Sequence, residues 1–238
     1  QLKFHGNDPN DDLIILAPEE GEFISINNIM NYLNKYGEEI ALVLIGGVNY
    51  FTGQAFDMAA ITEIAQNCGC RVGFDLAHAT GNVKLNLHNW GVDFASWCGY
   101  KYLNGGPGAP SGVFIHERHL SNSDIPRFEG WWGHDKSTRF QMPDKFSPLQ
   151  TAEAWQLSNP PILSMAALLA SLEIFHDAGM NLLRQKSEKL TSYLESLIKS
   201  ELDEKVEIIT PPSPQSRGCQ LSLRVLSPMN DITKLLHD

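Results

Sequence analysis

The stretch IALVLIGGVNYFTGQAFDMAAITEIAQNCGCRVGFD, residues 40–75, decides the fold. It opens on an unbroken apolar run, 40–45, that reads as a strand. It continues through an amphipathic segment with Met58, Ile61, Ile64 and Ala65 on one helical face, and closes beyond Gly69 on a second strand, 71–75. Apolar runs that do not alternate with polar residues belong to strands covered on both faces. The expected architecture is therefore α/β, a mostly parallel central sheet with helices on both faces.

Working outward, an apolar run at 13–16 reads as a further short strand. Ser25 caps a helix carrying Ile26, Ile29, Met30 and Leu33, which Gly37 closes. On the other side, 92–98 and 111–115 read as strands separated by Asn104-Gly105-Gly106-Pro107-Gly108. Residues 118–158 are irregular. After Pro160-Pro161 come two helices, 162–178 and 180–200, broken at Gly179, and then two strands, 206–210 and 219–225, of a smaller α+β unit. The expected division is 1–160 for the C-terminal part of a large domain and 161–238 for part of a small one.

With 42% hydrophobic and 19% charged residues among 238, the composition is that of a water-soluble globular chain with a sizeable core. The formal charge of -10 and the absence of any basic run argue against nucleic acid or an acidic lipid surface as partner. The longest apolar stretches fall well short of the roughly 20 residues of a membrane helix. Cys68, Cys70, Cys98 and Cys219 have no zinc-like spacing and read as reduced structural thiols, which points to the cytoplasm. The chain starts at Gln1 with neither a basic nor an apolar leader segment, so a targeting peptide is expected to be absent or already lost.

Two segments carry chemistry. In Gly73-Phe74-Asp75-Leu76-Ala77-His78 an aspartate ends a buried strand, at the strand edge where open α/β sheets bind ligands. Taken alone it reads as a helix cap, but a buried carboxylate also suits a cationic partner such as a protonated pyridine nitrogen. In Trp97-Cys98-Gly99-Tyr100-Lys101-Tyr102 a lysine sits between strand and glycine-rich turn, where desolvation frees an amine for Schiff-base chemistry; snorkelling from the strand end is the plainer reading. Together they lie one strand-to-strand connection apart, close enough to span one flat cofactor. His116 and His119 lack a matching carboxylate cluster and read as surface or structural residues.

At these residues the sequence resembles the fold-type I pyridoxal-phosphate enzymes of the class V aminotransferase group, and within it the kynureninases. Gly81-Asn82-Val83, Asn89-Trp90-Gly91-Val92-Asp93-Phe94-Ala95, Tyr100-Lys101-Tyr102-Leu103-Asn104, Gly130-Trp131, Ser137-Thr138-Arg139-Phe140 and Ser158-Asn159-Pro160-Pro161 extend the resemblance essentially end to end. The resemblance implies pyridoxal 5'-phosphate as cofactor, with Lys101 its Schiff-base lysine and Asp75 paired to the ring nitrogen. It further implies that His78 lines the cofactor and that Tyr100 reaches its phosphate with a proton-transfer role. Trp131 would meet the phosphate, and Asn159 would contact cofactor or substrate. Without the resemblance His78 and Trp131 read as core packing and Asn159 as a helix cap.

The implied reaction is hydrolysis of kynurenine, or its 3-hydroxy form, to an anthranilate and alanine in tryptophan breakdown and NAD synthesis, by a homodimer. Another class V lyase or desulfurase, or a silent binding module, are the rival readings. One departure is Gly46, where the family often has a hydroxyl residue. The resemblance also implies that an upstream phosphate-binding loop, a ring-stacking aromatic, substrate-pocket residues and a C-terminal arginine lie outside this chain. The 238 residues alone are then expected to bind the cofactor weakly and turn over little.

Overall fold

A computed structural model describes residues 1–226 except 20, 123 and 203. The central sheet has the order β1 (Leu42–Gly46), β2 (Arg71–Asp75), β3 (Phe94–Trp97), β4 (Gly112–Ile115). The first three strands run parallel and β4 returns antiparallel to β3. Two helices precede and cross over within this sheet, α1 (Ile26–Tyr36) and α2 (Met58–Asn67). Both start where the sequence places them: the Ser25 hydroxyl accepts the Asn28 N–H at 3.0 Å, and the Asp57 carboxylate accepts the Ala60 N–H at 3.0 Å.

The core lies between these helices and one face of the sheet. Ile29 and Leu33 of α1 and Met58, Ile61 and Ala65 of α2 pack on Val43, Val72 and Phe74. Beyond the sheet's edge the cluster takes in Leu76, Ala79 and Val92. On the strands, aromatic rings lie over glycines of the paired neighbour. Gly73 pairs with Phe94, and a Cβ at Gly73 would stand 2.3 Å from the Phe94 ring. Gly112 pairs with Trp97, and a Cβ there would stand 2.5 Å from the indole. The ring fills the volume that the glycine leaves, so each pair packs as one large residue.

Helices α3 (Ile162–Ala178) and α4 (Met180–Leu202) follow and break at Gly179, whose φ of 72° only glycine adopts without strain. Helix α3 buries none of its residues, and Leu163 and Ile162 are among the most exposed apolar side chains. It meets the turn after β3 through Leu168, which lies against Gly99 and Gly105, and through Ser171, whose hydroxyl donates to the Leu103 carbonyl at 2.6 Å. The short antiparallel pair β5 (Val206–Ile208) and β6 (Leu223–Val225) closes the described chain. Among the described residues no single helix is long and apolar enough to cross a membrane.

Three expectations change. Residues 13–16 form no strand: Leu13, Ile14 and Ile15 are exposed and the run pairs with nothing in the sheet, because an apolar tetrapeptide without a neighbour's ladder gains no backbone bonds. The later strands are shorter than their apolar runs, since ladder pairing sets their length; Cys219 and Gln220 bond to Asn82 and Tyr50 instead, while the Ser222 carbonyl still accepts the Ile209 N–H at 2.9 Å just beyond the β5–β6 ladder. His119 does meet a carboxylate, Asp93, at 2.6 Å. The side chain of Asp93 is 4% exposed and also receives Arg118 at 2.7 Å, the Val72 N–H at 2.8 Å and Gln66 at 3.1 Å. Burial pushes this carboxyl up, but those donors outweigh it and hold it at about 2.

Candidate active site

Because β2 and β3 are parallel neighbours, Asp75 and the turn after Trp97 emerge on the same edge of the sheet. The turn holding Lys101 is closed by the Asn104 N–H bonding to the Lys101 carbonyl at 2.9 Å, with Asn104 in the left-handed region at φ 55°. This fixes the lysine backbone and sends its side chain towards the turn that follows β2. There Lys101 Nζ donates to His78 Nε2 at 3.1 Å.

His78 therefore carries its proton on Nδ1, which is buried and meets no partner among the described residues. Burial first, and the Lys101 charge second, push the imidazole's pKa down, with Asp75 pulling weakly the other way. The ring is neutral at physiological pH, so Nε2 is free to accept the lysine's hydrogen bond. Asp75 holds its own turn with one oxygen, Oδ1 accepting the Ala77 N–H at 2.8 Å. Its second oxygen has no hydrogen bond among the described residues. The cap reading and the ligand reading of Asp75 are thus compatible, one on each oxygen.

Tyr100 is 55% exposed, with Lys101 Nζ 6.0 Å from its ring centre. Lys101 itself is only partly buried, so it stands at the rim of the edge rather than deep within it. Trp131 and Asn159 lie elsewhere in the irregular stretch: Trp131 packs edge-on with Trp132 and Phe140, and Asn159 bonds to Ser158. The two are brought near each other, because the Gly130 backbone lies tightly on Leu157. At the departure position, a Cβ on Gly46 would meet nothing closer than the Val48 carbonyl at 3.6 Å, so packing does not demand glycine there.

Sequence reading missed the groups around His78. Tyr102 lies edge-on to it at 5.9 Å, and burial together with a hydrogen bond to Cys219 pushes its phenol pKa up. Tyr50, 73% exposed on the β1–α2 loop, lies 6.4 Å from the same ring. The only sequence signal for either is an aromatic beside a strand end. A cavity of about 730 Å³ lies apart from all of these, lined by Ile24, Met58, Lys84 and Arg184 among others.

A strand-end amine hydrogen-bonded to a neutral histidine, beside a carboxylate with an open oxygen on the adjoining parallel strand, fits the donor set that pyridoxal phosphate requires. The fold is that of the fold-type I pyridoxal-phosphate enzymes. The Aminotransferase class-V family model matches residues 12–237. The chain is 56% identical to a kynureninase of Myxococcus xanthus over 100% of its own length and 56% of the relative's. It is 55% identical to a kynureninase of Koribacter versatilis over 94% of this chain and 53% of that one. An alanine–glyoxylate aminotransferase from Nostoc superposes with a TM-score of 0.68 at 19% identity, covering 94% of this chain and 56% of that structure, which speaks for the fold alone. This chain belongs to the class V aminotransferase family. It spans about half the length of the curated relatives it matches.

Proposed function

We propose that the protein acts as a kynureninase, hydrolysing L-kynurenine or 3-hydroxy-L-kynurenine to anthranilate or 3-hydroxyanthranilate and L-alanine. The observation that carries the reading is the Lys101–His78 contact beside Asp75, in a chain that shares more than half its residues with kynureninases. In this reading the cleaved bond joins the side-chain carbonyl carbon to Cβ of the alanyl part. The water oxygen ends on the anthranilate carboxyl group, and a proton completes the alanine methyl.

Pyridoxal phosphate, when bound, supplies the sink for the electrons that the cleaved bond releases. Lys101 Nζ would hold it covalently and, when free, take the proton from the substrate α-carbon. His78 Nε2, being neutral, accepts that amine's hydrogen bond and keeps it in place. Asp75, through its open oxygen, would accept the ring nitrogen's proton bond and keep that nitrogen charged. Tyr100 and Trp131 would reach the phosphate through phenol and indole N–H, and Asn159 would touch cofactor or substrate. We place the boundary between the larger cofactor-binding unit and the smaller one at Pro160-Pro161, and read the enzyme as a cytoplasmic homodimer of tryptophan breakdown that feeds NAD synthesis.

The test is absorbance and fluorescence on one preparation. The holoenzyme is expected to show the visible band of lysine-linked cofactor, absent from Lys101→Ala, and to release fluorescent anthranilate from L-kynurenine. A preparation with the band that leaves kynurenine untouched would overturn the substrate reading while keeping the family.

A further inference from the structure

Asn82 has no part in the chemistry above, yet it is 4% exposed and uses both ends of its amide. Nδ2 donates to the His78 carbonyl at 2.9 Å, and Oδ1 accepts the N–H of Cys219 at 2.8 Å, 137 residues further along the chain. The segment 216–222 that it meets is pinned on its other sides. The Ser216 carbonyl accepts the Ala55 N–H at 2.8 Å, Arg184 donates to the Arg217 carbonyl at 2.7 Å, and Gln220 donates to the Tyr50 carbonyl at 2.9 Å. The approach is close: a Cβ at Gly218 would stand 2.2 Å from Asn82 Nδ2, so a residue with a side chain would push the amide away. Tyr102 lies edge-on to His78, and the Cys219 thiol is near enough to help push its phenol pKa up, so it stands between the same two parts of the chain.

We propose that Asn82 is a positioning residue: it fastens His78, and through His78 the Lys101 amine, to the segment 216–222, so that the seat of the lysine depends on chain that follows α4. The physical ground is a buried amide with both halves satisfied, since losing either leaves a backbone group at the other end without its partner. Among the described residues the His78 ring takes part in one hydrogen bond, accepted from Lys101. A shift of its backbone by a fraction of an ångström is therefore felt at that contact, the ring otherwise only packing against Tyr50 and Tyr102. The proposal rests on the reading of Lys101 as the cofactor lysine.

The decisive variant is Asn82→Asp in the holoenzyme. It keeps the acceptor for Cys219 and the side-chain volume, but sets a carboxylate oxygen against the His78 carbonyl. Three readouts are taken: the absorbance maximum of lysine-linked cofactor, the ring-nitrogen NMR shifts of His78 in cofactor-free protein, and kcat and KM separately. The expected result is a displaced band, altered His78 shifts, and a kcat lowered roughly tenfold to hundredfold with a much smaller change in KM. Gly218→Ala, which crowds the same amide without altering it, is expected to move the same readouts in the same direction and serves if Asn82→Asp does not fold. Variants that lose thermal stability while keeping the wild-type band, His78 shifts and kcat would overturn the proposal. If wild-type protein carries no cofactor on Lys101, the reading of the site fails, and the His78 shifts in cofactor-free protein still decide the role of Asn82.

Discussion

Strand β3 enters the sheet beside one polar cluster and leaves it beside another, and the two are finished to different degrees. At its start, Asp93 is enclosed by Arg118, His119, Gln66 and the Val72 N–H, with both oxygens in use. Past its end, among the described residues, Lys101 has one side-chain hydrogen-bond partner, His78 has an unpartnered Nδ1, and Asp75 keeps an oxygen open. A saturated buried carboxylate stabilises the fold it sits in. We read the cluster past the strand's end, with Asp75 exposed and bonds left over, as the proposed seat of a ligand.

Removing the central group of each cluster should break the comparison in opposite ways. Lys101→Ala is expected to cost at least about a thousandfold in turnover. It should change the unfolding free energy by less than about 0.5 kcal/mol, since a partly buried side chain with one hydrogen bond is lost. Steady-state rates and urea unfolding on the same samples check both halves. Asp93→Ala should do the reverse, costing about 3–5 kcal/mol in urea unfolding because Arg118 and the Val72 N–H lose a buried partner. The folded fraction should still take up cofactor.

Acid sharpens the contrast further. Asp93 titrates at about 2 in the folded chain against an ordinary 3.8, so the unfolded state binds its proton first as pH falls. Its contribution is present above about pH 4 and lost on going down towards pH 2, a loss of about 2 kcal/mol. Asp93→Asn should flatten that part of the stability profile measured by denaturant titration at stepped pH. The smallest effect is expected from Ser25→Ala, which removes the α1 cap far from both clusters. It should cost about 1 kcal/mol in thermal unfolding and leave cofactor uptake unchanged.

The legible parts of this molecule are those encoded by neighbours in sequence. Ser25 and Gly37 bound α1, Gly179 breaks the long helical stretch, and Lys101 and Asp75 stand out because each is a charge at the end of an apolar run. Residues 13–16 show the limit of that signal, since a strand needs a ladder partner that an apolar run cannot announce. The Asp93 cluster escaped for a related reason. Its donors come from residues 66, 72, 118 and 119, and only the fold assembles them. The Asn82–Cys219 bond, across 137 residues, is a more distant case of the same thing.

The rings lying over Gly73 and Gly112 carry a consequence for how the sheet can change over generations. With the Phe94 ring 2.3 Å from where a Cβ at Gly73 would stand, position 73 is not free to drift alone. A methyl group at 73 becomes acceptable only in a lineage where 94 has already become smaller, and the same order of events applies to 112 and 97. These two pairs should therefore appear among homologues as co-varying columns, glycine with aromatic, or a larger residue with a smaller one, and seldom a larger residue with an aromatic.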